Sequence, residues 1–301
     1  MRAPNVAILS AIVASGACSD AGRVVAPVQS PLASKEGSTG GRILYWRGDP
    51  SDVYSMDDDG SSVIQLTTDP ASDQHAAWAP DGKRVIFASN REDARSAIYI
   101  MDADGSHVTR VTYPPAGAAD LFPRSLGKRI VFARTEFLAS SIWAVSSDGS
   151  DLTQLTQGTN DGQPAPSPNG KLVAFTRDGD IHVLDVETGA VTNVTSSAAQ
   201  EASPAWSPGG KQIAFTASGP GLGDLYVMNA DGTAITRLTN TPGGSEVLPQ
   251  WSPDGKRIAF GFPNDALIYG VWVMNADGTA LNHLSRTHTP IEIEAPSGWA
   301  R

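Results

Sequence analysis

Trp251-Ser-Pro-Asp-Gly-Lys-Arg-Ile-Ala-Phe260 decides the fold, because the chain writes it several times. It returns as Trp206-Ser-Pro-Gly-Gly-Lys-Gln-Ile-Ala-Phe215 and Trp78-Ala-Pro-Asp-Gly-Lys-Arg-Val-Ile-Phe87, with weaker copies ending at Tyr45, Phe132 and Phe175. The turn glycines are Gly40, Gly82, Gly127, Gly170, Gly210 and Gly255, spaced by 42, 45, 43, 40 and 45 residues. A fixed period of this length marks a repeat architecture. Two further anchors follow in every copy. One is a tight turn, complete in Asp102-Ala-Asp-Gly105, Asn229-Ala-Asp-Gly232 and Asn275-Ala-Asp-Gly278, with relatives ending at Gly60, Gly149 and Gly189. The other is a short β-branched segment closing on Leu66-Thr67, Val111-Thr112, Leu155-Thr156, Val194-Thr195, Leu238-Thr239 or Leu284-Ser285.

Between the anchors, each copy alternates apolar and polar residues in four short runs, the signature of half-buried strands. In the fifth copy the runs are Pro204 to Ser207, Lys211 to Ala217, Asp224 to Asn229 and Ala234 to Thr239. The Asp-Gly pairs supply the positive φ of a two-residue hairpin. A four-stranded antiparallel unit of this size cannot bury both faces alone, so six units must close into a ring. The expected fold class is all-β, a six-bladed β-propeller over residues 40–301. The first copy lacks a first strand, and the C-terminus ends in an unmatched one at Pro296-Ser-Gly-Trp299. Trp299 and its neighbours are therefore expected to pair with Ile43 and Tyr45, which removes two open sheet edges.

The Trp-Ser-Pro-Asp-Gly-Lys-Arg-Ile-Ala-Phe and Asn-Ala-Asp-Gly strings resemble the WD40-like repeat of TolB-type periplasmic β-propellers. The resemblance covers residues 40–301 and implies the fold. TolB itself also carries an N-terminal α/β domain, which the 39 residues before Gly40 are too few to form, so a stand-alone propeller is expected and a role in the Tol system does not carry over.

The chain has 301 residues and a formal charge of -10, so it offers no basic surface to a phosphate backbone, and nucleic acid is not an expected partner. Its single cysteine, Cys18, forbids an internal disulfide or a thiolate-rich metal site. Ahead of it lie Arg2, an apolar stretch from Val6 to Ala14, and the small residues Ser15, Gly16 and Ala17. That is the layout of a signal peptide over residues 1–17. A cysteine directly after small residues resembles a bacterial lipoprotein signal, which implies acylation of Cys18; ordinary cleavage and retention of the segment are the alternatives. Residues 18–39, rich in Ser, Gly, Ala and Pro, read as a flexible tether. The expectation is an exported monomer in the periplasm or at the outer membrane, touching the membrane only through a lipid anchor.

Propeller geometry sorts the loops into two faces. The first-to-second and third-to-fourth turns share a hairpin face and are uniform here. The second-to-third loops and the blade links share a linker face and vary, as in Asn90 to Arg95, Ser218 to Gly223 and Phe262 to Ala266. Variable loops on a rigid scaffold are where binding resides. Every copy also places a carboxylate near the channel mouth on this face: Asp73, Asp120, Asp161, Glu201, Glu246 and Glu294. Two residues beyond the second-strand aromatic, three copies carry Arg47, Arg134 and Arg177, and the others Ser89, Ala217 and Phe262. Read as repeat positions, the carboxylates cap backbone amides or pair with arginine to lock blades. Read as a site, those without an arginine in their own blade (Asp73, Glu201, Glu246) hold calcium, another cation or a basic ligand group.

The Asp-Ala-Asp-Gly strings lack the later ligands of a calcium loop, and His75, His107, His182, His283 and His288 fall at unrelated repeat positions. No Gly-x-Ser-x-Gly elbow, His-Glu-x-x-His or phosphate-binding glycine loop occurs, so neither catalysis nor a cofactor is expected. The expected function is a non-catalytic envelope module presenting one face to a protein or peptide. The alternatives are an enzyme, either a metal-dependent lyase or a hydrolase-associated propeller, and a carbohydrate or small-ligand binder at the channel mouth.

Overall fold

A computed structural model describes residues 41–79, 81–218, 223–241, 246–263, 269–285 and 295–300. Residues 1–17, Cys18, the tether, Gly40 and Glu294 lie outside the described residues. The strands form six four-stranded antiparallel sheets, each a blade. Blade 5 is representative, with strands Gln200–Trp206, Gln212–Ser218, Asp224–Asn229 and Thr236–Arg237 in that order. First strands of successive blades touch in a closed ring, from Asp73–Trp78 through Ala118–Leu126, Asp161–Pro166, Gln200–Trp206 and Val247–Trp251 to Ala295–Ala300 and back. They line the central axis.

The last strand closes the ring. Ala295–Ala300 pairs with Arg42–Gly48 as the innermost strand of blade 1, with Trp299 opposite Ile43 and Pro296 opposite Tyr45. Arg257 of blade 6 lies over Trp299 and pairs with Asp58 of blade 1, so the same corner carries a cation–π contact and an ion pair.

The quoted repeats explain the core. The aromatic ending each decisive string, Tyr45, Phe87, Phe132, Phe175, Phe215 or Phe260, is almost wholly buried between neighbouring blades. Burying each contributes about 1.5–3 kcal/mol. Two of the first-strand tryptophans lock adjacent blades: Trp206 Nε1 donates to Ala165 O at 3.0 Å and Trp251 Nε1 to Ala205 O at 3.1 Å, each reaching the preceding first strand.

The closing Thr or Ser of each copy has a role that is invisible in one dimension. Its hydroxyl accepts an N–H near the start of the third strand of its own blade: Val53 to Thr67, Ile98 to Thr112, Ile142 to Thr156, Ile181 to Thr195, Leu225 to Thr239 and Val271 to Ser285, at 2.8–2.9 Å. The short fourth strand is thereby stitched on after only two or three ladder residues.

Two expectations need correcting. The third-to-fourth turn is longer than a two-residue hairpin: Gly105 N–H returns to Asp102 O at 2.9 Å, and Asp102 N–H donates to Ser106 O at 2.9 Å. The glycine therefore ends a tight turn in a left-handed conformation, φ +87°. At the equivalent Gly60 (φ +83°) a Cβ would lie 2.6 Å from Leu284 O of the preceding blade, so the position demands glycine for space as well. The first strand of blade 5 also starts at Gln200, ahead of the expected Pro204, because a bulge lets the strand run past the proline. At that bulge His75, Phe122, Gln163, Ser203 and Leu248 take φ of +49° to +55° in five blades.

Candidate functional site

The linker face begins with the acidic ring. Asp73, Asp120 and Asp161 are 0% exposed, Glu201 4% and Glu246 2%, so these carboxylates lie inside the blade seams rather than open to solvent at a channel mouth. Their backbone joins neighbouring blades too: the N–H groups of Asp120, Glu201 and Glu246 donate to Ser96, Gly179 and Gly223 of the preceding blade.

Two of the three arginines meet their carboxylates as the sequence pairing requires. Arg134 binds Asp120 through Nε and Nη2 at 2.7 and 2.8 Å, and Arg177 binds Asp161 likewise at 2.6 and 2.8 Å. Each guanidinium also stacks on its blade's aromatic, 5.5 Å from the Phe132 centroid and 5.1 Å from that of Phe175. Arg47 lies 5.7 Å from the Tyr54 centroid, while Glu294, in its column, falls outside the described residues.

Asp73 departs from the sequence reading, which left it without an arginine of its own blade. Arg91, two residues past Ser89, reaches back to it at 2.9 Å and to Asp69 at 2.7 Å. Its guanidinium stacks 5.0 Å from the Phe87 and Tyr99 centroids, the same place filled by Arg134 in blade 3. The loop Asn90 to Arg95 allows the longer reach.

Glu201 and Glu246 have no arginine among the described residues. Glu201 accepts hydrogen bonds from Thr195 Oγ1 at 3.3 Å and from Ser197 Oγ, and Glu246 accepts one from Thr241 Oγ1 at 3.1 Å. Each also feels an aspartate at the head of the preceding third strand, Asp180 or Asp224, and Asp73 stands in the same relation to Asp52. Burial, aided by the neighbouring charge, raises Glu201 and Glu246 above the usual carboxylate range. Asp52 is pushed up to about 6, chiefly by burial and further by Asp73 and Asp69. Among the described residues no three His, Cys, Asp or Glu side chains gather as a metal ion requires. The ring's geometry is that of locks between blades.

A second feature of this face escaped the sequence reading. The Glu136–Ala139 turn of blade 3 presents Phe137 and Leu138, 87% and 93% exposed, and the following-blade link of blade 2 presents Tyr113, 73% exposed. A Cβ on Gly117 would lie 3.4 Å from Phe137 Cζ, so the ring covers the same link that carries Tyr113. The six other large apolar residues exposed among the described residues, Val63, Val108, Leu152, Val191, Ile235 and Leu281, sit at one equivalent position in each blade, just ahead of or at the fourth strand. They are a property of the repeat. Among the described residues the cluster of Tyr113, Phe137 and Leu138 is not repeated, and its signal in the sequence was an apolar pair where a hairpin turn belongs.

The family model for the TolB beta propeller domain matches residues 5–181, and that for the Tricorn protease N-terminal beta propeller domain matches residues 165–276. None of the curated proteins matches this chain. Among solved structures, TolB from Acinetobacter baumannii is 21% identical, aligned over 88% of this chain and 67% of that one with a TM-score of 0.69. A protein from Agrobacterium tumefaciens assigned as TolB is 20% identical over 85% of this chain and 91% of its own, with a TM-score of 0.67. Hydrazine synthase from Kuenenia stuttgartiensis aligns with a TM-score of 0.71 at 15% identity, over 85% of this chain and 46% of that one. At such identities the likeness is one of fold.

Proposed function

We propose that this chain, which belongs to the TolB beta propeller domain family, is an exported, non-catalytic scaffold that docks a cell-envelope protein on its linker face. The observation that carries this reading is the unrepeated apolar cluster of Tyr113, Phe137 and Leu138. Large apolar side chains left mostly in water mark interaction surfaces, even where, as here, Phe137 also covers the Gly117 link and Arg110 lies 4.6 Å from the Tyr113 centroid. Phe137 also holds a left-handed backbone, φ +53°, a conformation that costs a non-glycine residue about 1–2 kcal/mol.

Export rests on the signal-like layout of residues 1–17, and attachment to the membrane on Cys18. The non-catalytic assignment rests on the motif reading and on the engagement of the described ring carboxylates within the blade seams. Crosslinking in intact cells followed by capture tests the docking face. One discrete protein is expected with the wild-type chain and a loss of at least tenfold with the Phe137→Ser/Leu138→Ser variant, at unchanged melting temperature. Undiminished capture by that variant contradicts the reading.

A further inference from the structure

One blade seam lacks the ring that the repeat places in the others. Opposite the residue two before the second-strand aromatic, the innermost strands carry Trp78, Pro166, Trp206, Trp251 and Trp299, paired with Val85, Val173, Ile213, Ile258 and Ile43. In blade 3 the same ladder position, opposite Ile130, is Ser125. The turn that follows is shorter as well. Ser125 and Gly127 are two residues apart, where Trp78 and Gly82, Pro166 and Gly170, Trp206 and Gly210, and Trp251 and Gly255 are four apart. Side chain and turn are thus both cut back at the seam between blades 2 and 3.

The space this leaves is an open groove of about 360 Å³ on the hairpin face, bounded among others by Arg84, Ile86 and Ile100 of blade 2 and by Ser125, Lys128 and Ser147 of blade 3. Small-ligand sites begin at about 300 Å³. Its floor is the tryptophan seat of the repeat. Ala174 and Val183 share a core cluster with Trp206, Ala214 and Val227 with Trp251, and Ala259 and Val273 with Trp299. Each is a cross-strand pair, and the matching pair in blade 2 is Ile86 and Ile100. The seam between blades 6 and 1 shows the filled version, where Arg257 lies 5.2 Å from the Trp299 ring centroid and pairs with Asp58. Arg84 occupies the repeat position of Arg257, Ser125 that of Trp299 and Ser147 that of Asp58, so at those positions blade 3 offers Arg84 neither ring nor carboxylate. Among the described residues its one ion pair is with Asp81 of its own turn, an exposed pair at 3.2 Å. Lys128 adds an exposed cation at the rim.

We infer that this groove binds a planar aromatic group bearing a carboxylate, the ring taking the vacant tryptophan seat against Arg84 and the acid meeting Arg84 and Lys128. A guanidinium attracts the face of an aromatic ring and binds a carboxylate through paired N–H groups, so one ligand of this chemistry restores what Trp299 and Asp58 provide at the closing seam. A free aryl carboxylate and a tryptophan beside an acidic residue in a partner's chain both carry it. The groove opens on the hairpin face and does not depend on the docking reading of the linker face.

Isothermal titration of the full chain separates the two sources, with indole-3-propionate as the free acid, acetyl-Trp-Asp-amide as the peptide and tryptamine as the same ring carrying a cation. Saturable binding of at least one acidic probe is expected, with tryptamine about tenfold weaker or worse. Binding of indole-3-propionate alone assigns a free aryl acid, binding of the peptide alone assigns a polypeptide, and binding of both establishes the shared chemistry. Ser125→Trp should fill the groove from within, abolish binding and raise the melting temperature by about 2–4 °C. Arg84→Gln, at an exposed pair, should weaken binding about tenfold, and it carries the test if Ser125→Trp does not fold. Failure of both acidic probes to bind the wild-type chain, equal binding of tryptamine, or undiminished binding by either folded variant overturns the inference.

Discussion

The seam between blades 2 and 3 and the seam between blades 4 and 5 solve one problem in opposite ways. In the first, Asp120 is bound in bidentate fashion by Arg134, and the residue heading the preceding third strand is Ala97. In the second, the donors to Glu201 among the described residues are hydroxyls, and the corresponding residue is Asp180. The exchange recurs: Asp161 has Arg177, with Ser141 at the corresponding position upstream, whereas Glu246 has no arginine among the described residues and meets Asp224. One seam type carries a charge neutralised by a bidentate arginine. The other holds two acids together and is stable only as far as a proton or a hydroxyl relieves them. The same repeat position thus carries two electrostatic designs, set apart by a residue 20–23 positions upstream of the carboxylate, and Asp73, which has both Arg91 and the neighbouring Asp52, combines them.

The largest effect that separates the two designs is the loss of an arginine. Arg134→Ala leaves Asp120 buried and unpaired, and urea unfolding should show a loss of about 3–5 kcal/mol. Glu201→Gln at the other seam should cost less than about 1 kcal/mol at neutral pH, since it removes a repulsion along with its hydrogen bonds. Equal losses would erase the distinction.

Removing the threonine caps gives a smaller effect. Thr112→Val and Thr195→Val each strand one buried N–H, for about 1–3 kcal/mol. Thr195 also donates to Glu201, so its variant should be the more damaging, and increasingly so as pH rises and the carboxylate ionises. A larger loss at Thr112 than at Thr195 would remove the hydroxyl from the account of the acid seams.

The smallest effect is a dependence on pH. Asp52 holds its proton up to about pH 6 in the folded chain, against 3.8 for an ordinary aspartate, so between those values the folded state binds more protons than the unfolded one. Its contribution to stability is complete below about pH 4 and is lost as pH rises through 6. Glu201 and Glu246 shift in the same direction. Melting temperature should therefore fall by a few degrees from pH 4.5 to pH 7.5, and Asp52→Asn should flatten the profile by raising the high-pH end. A profile that rises with pH would show that the pairs are solvated.

Most of the scaffold was legible because its causes are local and repeated. The Ser-Pro-Asp-Gly and Asn-Ala-Asp-Gly turns, the buried aromatic and the unmatched Trp299 strand each follow from chain stiffness and alternation, and all fall where the repeat put them. The partners of the ring were only half legible. Arg134 and Arg177 stand in register with their carboxylates, but Arg91 reaches Asp73 from a loop, where register no longer predicts position. Thr67 and its five counterparts were visible as a pattern, yet their hydroxyl bonds span 14 residues and belong to the fold. Ser125, Phe137 and Leu138 are departures from the repeat, and aligning copies for what they share hides what one copy alone possesses.

A photoreactive amino acid placed at Leu138, with Ile235 as the control on the repeated apolar position, tests the docking face most directly. Irradiation of intact cells should join position 138 to a single envelope protein and leave position 235 without a discrete product. Equal labelling from both positions, or none at 138 while the chain is folded and exported, would contradict a linker face built for a partner.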